Sequence, residues 1–332
     1  MTFLAYLFTF LKNMVYGSSV FFTSHLSQNV DVLDILALRF LMSFVVMWLL
    51  KVTKVLKIKV GVKDLFKKNE RSPYLSSLIL AGLFEPVLYM FFETTGISMC
   101  TGITTAVILS LSPISGCLCE VLILKERATP VQMILLGVGI VGVMYIAFNT
   151  QAADGKDTPL GILFIVLAVL CGSLFIAFSR KSSKHFNAME ITYTSVVLGT
   201  IAFNTVNVVR HLINGNILNY FEPFFSAQNM IGFAFLAVLS TIVATGMNNF
   251  AASKLQISTM AAFGGVSTFT TIFIGAVFEN EKIMPFHIIG FSLIFIRMFG
   301  VSAINIMRDR KKNKAQVAAA EQKAIEPDSV KL

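Results

Sequence analysis

Four ionisable side chains lie near the middle of long apolar stretches, namely Lys12, Arg39, Glu85 and Arg297. A charge at the centre of a bilayer costs about 3 kcal/mol on insertion scales, so each is a candidate for ligand binding or ion coupling. Three are basic and one is acidic, which predicts a cavity that favours an anionic or zwitterionic ligand. One arrangement pairs Lys12 with Glu85 and leaves both arginines free to meet a ligand. Alternatively, each guanidinium binds backbone carbonyls or extends to the membrane interface.

Glu85 belongs to a polar stripe on one helix face, since these residues recur at mostly three- and four-residue spacing. The stripe consists of Gly82, Glu85, Tyr89, Phe92 and Glu93, and its counterpart 155 residues later consists of Ala237, Ser240, Ala244, Met247 and Asn248. Within a membrane such stripes predict a polar cavity, or else a packed helix contact. An unpaired Glu85 could carry a coupling proton, whereas pairing with Lys12 would keep it ionised. The candidate residues for substrate binding or coupling are Glu85, Lys12, Arg39, Tyr89, Glu93, Tyr16, Ser240, Asn248 and Arg297.

The composition indicates an integral membrane protein, because 55% of the 332 residues are hydrophobic and only 14% are charged. Apolar runs long enough to cross a bilayer as helices recur along the chain. The fold class is therefore all-α. The predicted transmembrane helices are 3–24, 32–50, 74–94, 100–123, 130–149, 159–179, 188–210, 229–250, 256–278 and 286–306.

The chain repeats itself without gaps at an offset of 155 residues. The segment from Thr104 to Pro130 recurs as the segment from Thr259 to Pro285, with Ser112 aligned to Ser267 and Glu126 to Glu281. Gly17-Ser18 aligns in the same register with Gly172-Ser173. This register predicts two copies of one five-helix unit, at residues 1–150 and 156–306, followed by a basic cytoplasmic tail at 307–332, which we expect to be disordered.

The distribution of lysine and arginine predicts the orientation in the membrane. Eight of these residues lie between Lys51 and Arg71, and further groups lie at Arg180–Lys184 and Arg308–Lys314. Basic loops remain in the cytoplasm, so both termini are predicted to be cytoplasmic. We expect the membrane to be the plasma membrane. Because each repeat has an odd number of spans, the two repeats must insert in opposite orientations, as in carriers that work by alternating access.

The chain resembles ten-helix transporters of the drug/metabolite transporter superfamily, EamA type. The resemblance covers about residues 1–306 and is carried by short motifs in a fixed order: Tyr16-Gly17-Ser18-Ser19, Leu38-Arg39-Phe40-Leu41, Leu111-Ser112-Pro113, Glu126-Arg127, Gly172-Ser173, Glu279-Asn280-Glu281 and Gly290. The two halves differ at Thr268, which aligns with Pro113, and at Leu135, which aligns with Gly290. Members of this family export or exchange amino acids, other metabolites, nucleotide-linked sugars and drugs. The resemblance thus implies a secondary active transporter, an exporter or exchanger of a small polar metabolite such as an amino acid or organic anion.

Other functions are less consistent with the sequence. A proton-coupled multidrug efflux carrier is the main alternative. A membrane-embedded enzyme is disfavoured, because the four histidines lie at span ends or in loops and no aspartate lies in mid-span. A non-transporting scaffold would not need an inverted repeat. We expect no cofactor, no metal and no nucleic acid. The expected partners are the substrate, the lipid bilayer and, if Glu85 is unpaired, a coupling proton.

Overall fold

The computed structural model describes residues 2–55, 72–109, 157–255 and 263–278, with isolated positions between 111 and 145, at 260 and between 285 and 307. Every regular element in these ranges is a helix. The helices are α1 (Thr2–Ser27), α2 (Val32–Val52), α3 (Ser72–Gly82), α4 (Tyr89–Ser98), α5 (Gly102–Leu109), α6 (Pro159–Ser182), α7 (Ala188–Ile213), α8 (Ala227–Ala234), α9 (Thr245–Ala252) and α10 (Gly264–Phe278).

Two of the membrane spans are composite. A π-helical segment, Leu83–Leu88, joins α3 to α4, and another, Phe235–Ala244, joins α8 to α9. The ten helix labels therefore do not correspond to ten spans. A 3-10 helix, Ile217–Phe225, occupies the connection between α7 and α8.

Five helices of the described chain are long and apolar enough to cross a membrane. They are Val32–Val52, Leu75–Ser98, Pro159–Ser182, Ala188–Ile213 and Ala227–Ala252. Each lies within a few residues of a predicted span. Helix α1 has 26 residues, but Lys12, Asn13 and several hydroxyl side chains make it more polar. The predicted spans 130–149 and 286–306, and Glu126 and Glu281, lie outside the continuous ranges described.

The ends of the helices follow from local sequence. Pro159 opens α6 directly after Thr158, whose side chain accepts a hydrogen bond from the backbone N–H of Gly161. Asn187 and Glu190 form a reciprocal capping box at the start of α7. Asp157 binds the other half of the chain, because its carboxylate accepts hydrogen bonds from the backbone N–H of Thr101 at 2.5 Å and from Thr104 Oγ1 at 2.7 Å. The connection between the halves thus anchors the start of α5.

The two interrupted spans match under the sequence repeat. Glu85 has non-helical backbone angles inside its π-helical segment, where Pro86 cannot supply an N–H donor. Shifting Leu83–Leu88 by the repeat offset places it within Phe235–Ala244. Irregular helical backbone of this kind frequently marks functional sites.

The helix contacts also occur in matching pairs. Helix α1 packs against α10, and its repeat counterpart α6 packs against α5. Likewise α6 packs against α4, and α1 packs against α9, the counterpart of α4. Another large contact, between α2 and α7, joins a helix to its own counterpart. These contacts surround the space between α1, α4 and α6.

Asp34 links α2 to α7 at the end of the bundle where α2 begins. Its carboxylate accepts hydrogen bonds, each 2.8 Å long, from Asn207 Nδ2, Arg210 and His211 Nε2. Arg210 also forms an ion pair with Asp31. The side chain of Asp34 is 13% exposed and that of Asp31 is 54% exposed. We therefore expect the stabilising effect to come mainly from Asp34.

Substituting Asp34→Asn should destabilise the protein by about 2 kcal/mol. The NH2 group of asparagine would face hydrogen-bond donors that now bind a carboxylate oxygen. Thermal unfolding of the detergent-purified protein would measure the change. Asp31→Asn is the matched control and should have a much smaller effect, since exposed ion pairs contribute about 0–1 kcal/mol. Equal melting temperatures for both variants would contradict this assignment.

Candidate functional site

A cavity of about 150 Å³ lies between α1, α4, α6 and the π-helical segment before α9. It brings together most of the residues that the sequence identified. The predicted residues that line it are Lys12, Tyr16, Glu85, Tyr89, Glu93, Ser240 and Asn248. They come from both halves of the chain, so neither repeat forms the cavity alone.

Lys12 is fixed by residues of the other repeat. Its Nζ donates a hydrogen bond to Asn248 Oδ1 at 2.7 Å and lies 5.5 Å from the centre of the Tyr16 ring. Tyr16 in turn shares a 3.2 Å hydrogen bond with Thr245 Oγ1. The ammonium group is buried, with 8% of the residue exposed. Lys12 is therefore held at the cavity wall in a defined position.

Glu85 lines the same cavity and is 9% exposed. Among the residues that the structure describes, its carboxylate has neither a hydrogen-bond donor nor an ion-pair partner within bonding distance. The direct Lys12–Glu85 pair suggested by the sequence is thus replaced by the Lys12–Asn248 hydrogen bond. Two ionisable groups of opposite sign thus face one cavity without direct contact between them.

Glu93 lies on the same face of the helix as Glu85, two turns later. Its Oε1 accepts a 2.6 Å hydrogen bond from the hydroxyl of Tyr89. Both side chains line the cavity. Unlike Glu85, Glu93 already has a partner within the protein, and the Tyr89 ring also packs against Gly172 of α6.

Arg39 is placed differently from what the sequence suggested. It is 2% exposed, and its guanidinium donates hydrogen bonds to Thr241 Oγ1 at 2.8 Å and to Ser240 Oγ at 3.1 Å. It does not line the central cavity. Arg39 is therefore bound to hydroxyl groups, rather than to a backbone carbonyl or the membrane interface, and it orients Ser240 at the cavity wall. Arg297 lies outside the described residues.

The charge balance also differs from the expectation. Within the described chain, the acidic and basic residues that line the cavity are Lys12, Glu85 and Glu93. Arg39 lies behind the cavity wall, where it binds Ser240. The surplus of positive charge predicted from mid-span residues is absent from this part of the protein. An arrangement with both signs suits a ligand that carries both charges.

The sequence reasoning missed several cavity-lining residues, which are Asn13, Ser19, Ser173, Ser267 and Thr268. The repeat contained a signal for some of them. Ser173 follows Gly172 in the motif that repeats Gly17-Ser18, and Ser267 is the counterpart of Ser112, which also lines the cavity. Asn13 could have been inferred only from its position beside Lys12.

Comparison with known proteins agrees with the two-repeat organisation. The EamA-like transporter family matches the chain twice, over residues 3–148 and 159–303. The chain belongs to the EamA-like transporter family. The resemblance inferred from the sequence motifs is therefore confirmed, and so is a two-repeat, all-helical, multi-pass membrane protein.

A bacterial relative of this EamA-like transporter has a similar length. The uncharacterized transporter YcxC of Bacillus subtilis (strain 168) is 28% identical over 309 residues, which cover 93% of this chain and 95% of YcxC. One crystal structure, described only as that of a protein, matches with a TM-score of 0.58 and 13% identity. That match covers 92% of this chain and 98% of the other chain, and at this identity it supports the fold alone. The family and the relative together point to a transporter rather than an enzyme.

Proposed function

We propose that this chain is a secondary active transporter that exports or exchanges a small zwitterionic metabolite, such as an amino acid, by alternating access. The observation that carries this proposal is the placement of Lys12 and Glu85 on one cavity without a direct pair between them. Lys12 can bind a carboxylate, and Glu85 can bind an ammonium group. Ser240, Asn248 and Tyr89 supply further hydrogen-bonding groups around the same space.

The size of the cavity favours a metabolite over a drug. Drug-sized ligands occupy pockets of about 300–1,000 Å³, whereas this cavity holds about 150 Å³. An engineered cavity of about 150 Å³ in another protein binds benzene, a molecule of about six heavy atoms. A small amino acid or a comparable metabolite has this size. The alternative, proton-coupled multidrug efflux, would require the cavity to expand severalfold.

The charges favour a zwitterion over an organic anion. An anion could bind Lys12, but it would also face Glu85 and Glu93 at close range. Like charges in a poorly hydrated cavity repel strongly. A zwitterion avoids this repulsion because its cationic group can lie near a carboxylate. An organic anion remains compatible only if both glutamates are protonated when it binds.

The topology of the proposal is ten spans in two inverted five-helix repeats, with domains at 1–150 and 156–306 and a tail at 307–332. The paired helix contacts and the matching π-helical segments support a two-fold relation between the repeats. Arg180 and Lys181 lie in the last turn of α6. Because basic residues favour the cytoplasmic side, this end of the bundle is assigned to the cytoplasm, and both termini lie on that side. The membrane of this proposal is the plasma membrane.

Uptake into proteoliposomes that contain the purified protein tests the function. The screen should include amino acids, organic anions, phosphorylated metabolites and cationic drugs, each as a radiolabelled tracer in counterflow and under an imposed pH gradient. We expect saturable counterflow for at least one small zwitterion. Transport of cationic drugs alone would favour multidrug efflux, and transport of organic anions alone would contradict the role given to Glu85.

A further inference from the structure

Glu85 borders a second cavity besides the central one. This cavity, called here the Glu85 chamber, is lined by Phe40, Glu85, Pro86, Met90, Thr192, Ser195, Val196, Thr241 and Thr245. Its volume is about 10 Å³, close to the minimum that a single buried water molecule needs. Ser240 and Asn248, which line the central cavity, do not border this chamber. Glu85 thus borders both cavities.

Two polar side chains at the chamber lack a hydrogen-bond partner among the residues that the structure describes. Ser195 is 6% exposed and Glu85 is 9% exposed, and neither side chain has a hydrogen bond to any residue that the structure describes. A buried polar group without a partner costs about 1–3 kcal/mol. One water molecule in the chamber could bind both groups, and hydroxyls of Thr192, Thr241 and Thr245 line the same space.

A chain of buried hydrogen bonds continues from the chamber. Thr192 Oγ1 accepts a hydrogen bond from Asn249 Nδ2 at 2.9 Å, and Asn249 Oδ1 accepts one from Ser179 Oγ at 2.8 Å. These three residues are each no more than 1% exposed. Ser179 lies in the last turn of α6, which ends at Ser182, and Asn249 lies in the last turn of α9, which ends at Ala252. The chain therefore runs from the chamber to the end of the bundle that carries Arg180 and Lys181.

We propose that the transporter is proton-coupled and that Glu85 exchanges its proton with the cytoplasm through the Glu85 chamber. This inference rests on the proposed function and its topology. The Thr192–Asn249–Ser179 chain lines the route from the chamber towards the cytoplasm, and water that follows these polar groups carries the proton. In the release step, the O–H bond of the protonated carboxyl breaks, the proton passes to the chamber water, and a carboxylate remains. Substrate meets the same carboxylate from the central cavity.

A proton and the substrate compete for Glu85, and the charged and titratable groups around it make this competition effective. Lys12 and Tyr16 face it from α1, Arg39 from α2, and Tyr89 and Glu93 from its own helix. Helix α7 and the segment from Phe235 to Ala252 contribute only hydroxyl, amide and apolar groups to the two cavities. A proton and the ammonium group of a substrate can therefore occupy Glu85 alternately, which links the movement of one to that of the other.

Two threonines on α7 provide a matched pair for the test. Thr192→Val removes the acceptor for Asn249 and a hydroxyl of the chamber. Thr194→Val removes a hydroxyl that is equally buried but bonds only the Glu190 carbonyl of its own helix. Ser195→Ala is a further test that should preserve folding, because that hydroxyl has no partner among the described residues.

Each variant would be measured in proteoliposomes by substrate counterflow and by uptake driven by a pH gradient, with a luminal pH dye to record proton movement. We expect Thr192→Val to slow gradient-driven uptake and proton movement at least about 10-fold. Counterflow should stay within about 2-fold of the original protein, since in the proposed mechanism exchange of substrate does not require Glu85 to release its proton to bulk water. Ser195→Ala should show the same selective effect, and Thr194→Val should show none.

The outcomes separate this inference from the proposed function. If the original protein shows no counterflow of any small metabolite, the proposed function itself is wrong. Suppose that the original protein shows counterflow. If Thr192→Val and Ser195→Ala then both behave like Thr194→Val, the chamber is not a proton route. The same conclusion follows if both variants lose counterflow and gradient-driven uptake in parallel. Uptake that follows a sodium gradient at equal pH would overturn the choice of the proton.

Discussion

Replacing Glu85 by glutamine should reduce transport about 100-fold, in counterflow and in gradient-driven uptake alike. Glutamine has nearly the same shape, so the variant removes the charge without leaving a void. The expected loss corresponds to about 3 kcal/mol, the upper range for a hydrogen bond to a charged group. Radiotracer counterflow in proteoliposomes measures it. The effect on exchange distinguishes this variant from Thr192→Val, which should affect only proton-driven uptake.

Glu93→Gln is the control for this experiment. Glu93 lines the same cavity, but its carboxylate already accepts a hydrogen bond from the Tyr89 hydroxyl. A glutamine oxygen can accept the same hydrogen bond, so we expect a loss of only a few fold. Both proteins should be compared at equal insertion and with similar melting temperatures. If Glu85→Gln transports within 2-fold of the original protein, Glu85 does not bind the substrate.

The helices and the repeat that relates them could be predicted from the sequence, because both depend on local or periodic information. The apolar runs at 32–50, 159–179 and 188–210 lie within helices that extend only two or three residues further. A single offset of 155 residues identified Gly17 and Gly172 as counterparts, and each now lies in a close helix contact. The helical spacing of Glu85, Tyr89 and Glu93 likewise predicted one face, and all three line one cavity.

The partners of the charged residues were not accessible in this way. Lys12 binds Asn248, which is 236 positions away in the chain, and Arg39 binds hydroxyls of Ser240 and Thr241 about 200 positions away. A sum of formal charges cannot reveal that one arginine lies behind the cavity wall. The Glu85 chamber depends on the same long-range packing of α7 against the two interrupted spans, and nothing in the local sequence around Ser195 indicates it.

The contact between α1 and α10 leads to a second large effect, at Gly17. A Cβ atom at this position would lie 2.5 Å from the Ser267 carbonyl oxygen and 2.7 Å from Thr270 Cβ. The Gly17 carbonyl also accepts a 3.0 Å hydrogen bond from Thr271 Oγ1. The clash involves backbone, so no side-chain rotation can relieve it, and the two helices must separate.

Gly17→Ala should therefore lower the stability by about 3 kcal/mol, at the upper end of overpacking effects, although alanine by itself favours a helix over glycine by about 1 kcal/mol. We expect a lower yield of folded protein, a lower melting temperature and little remaining transport, because Lys12 and Tyr16 lie on the same helix as Gly17. Gly264→Ala on α10 is the control for stability, since among the described residues its added Cβ would meet only Ser112 Oγ at 4.0 Å. Equal melting temperatures for the two variants would show that α1 and α10 can separate at this crossing without cost. In that case the close contact of Gly17 with α10 would not determine how α1 and Lys12 are placed against the second repeat.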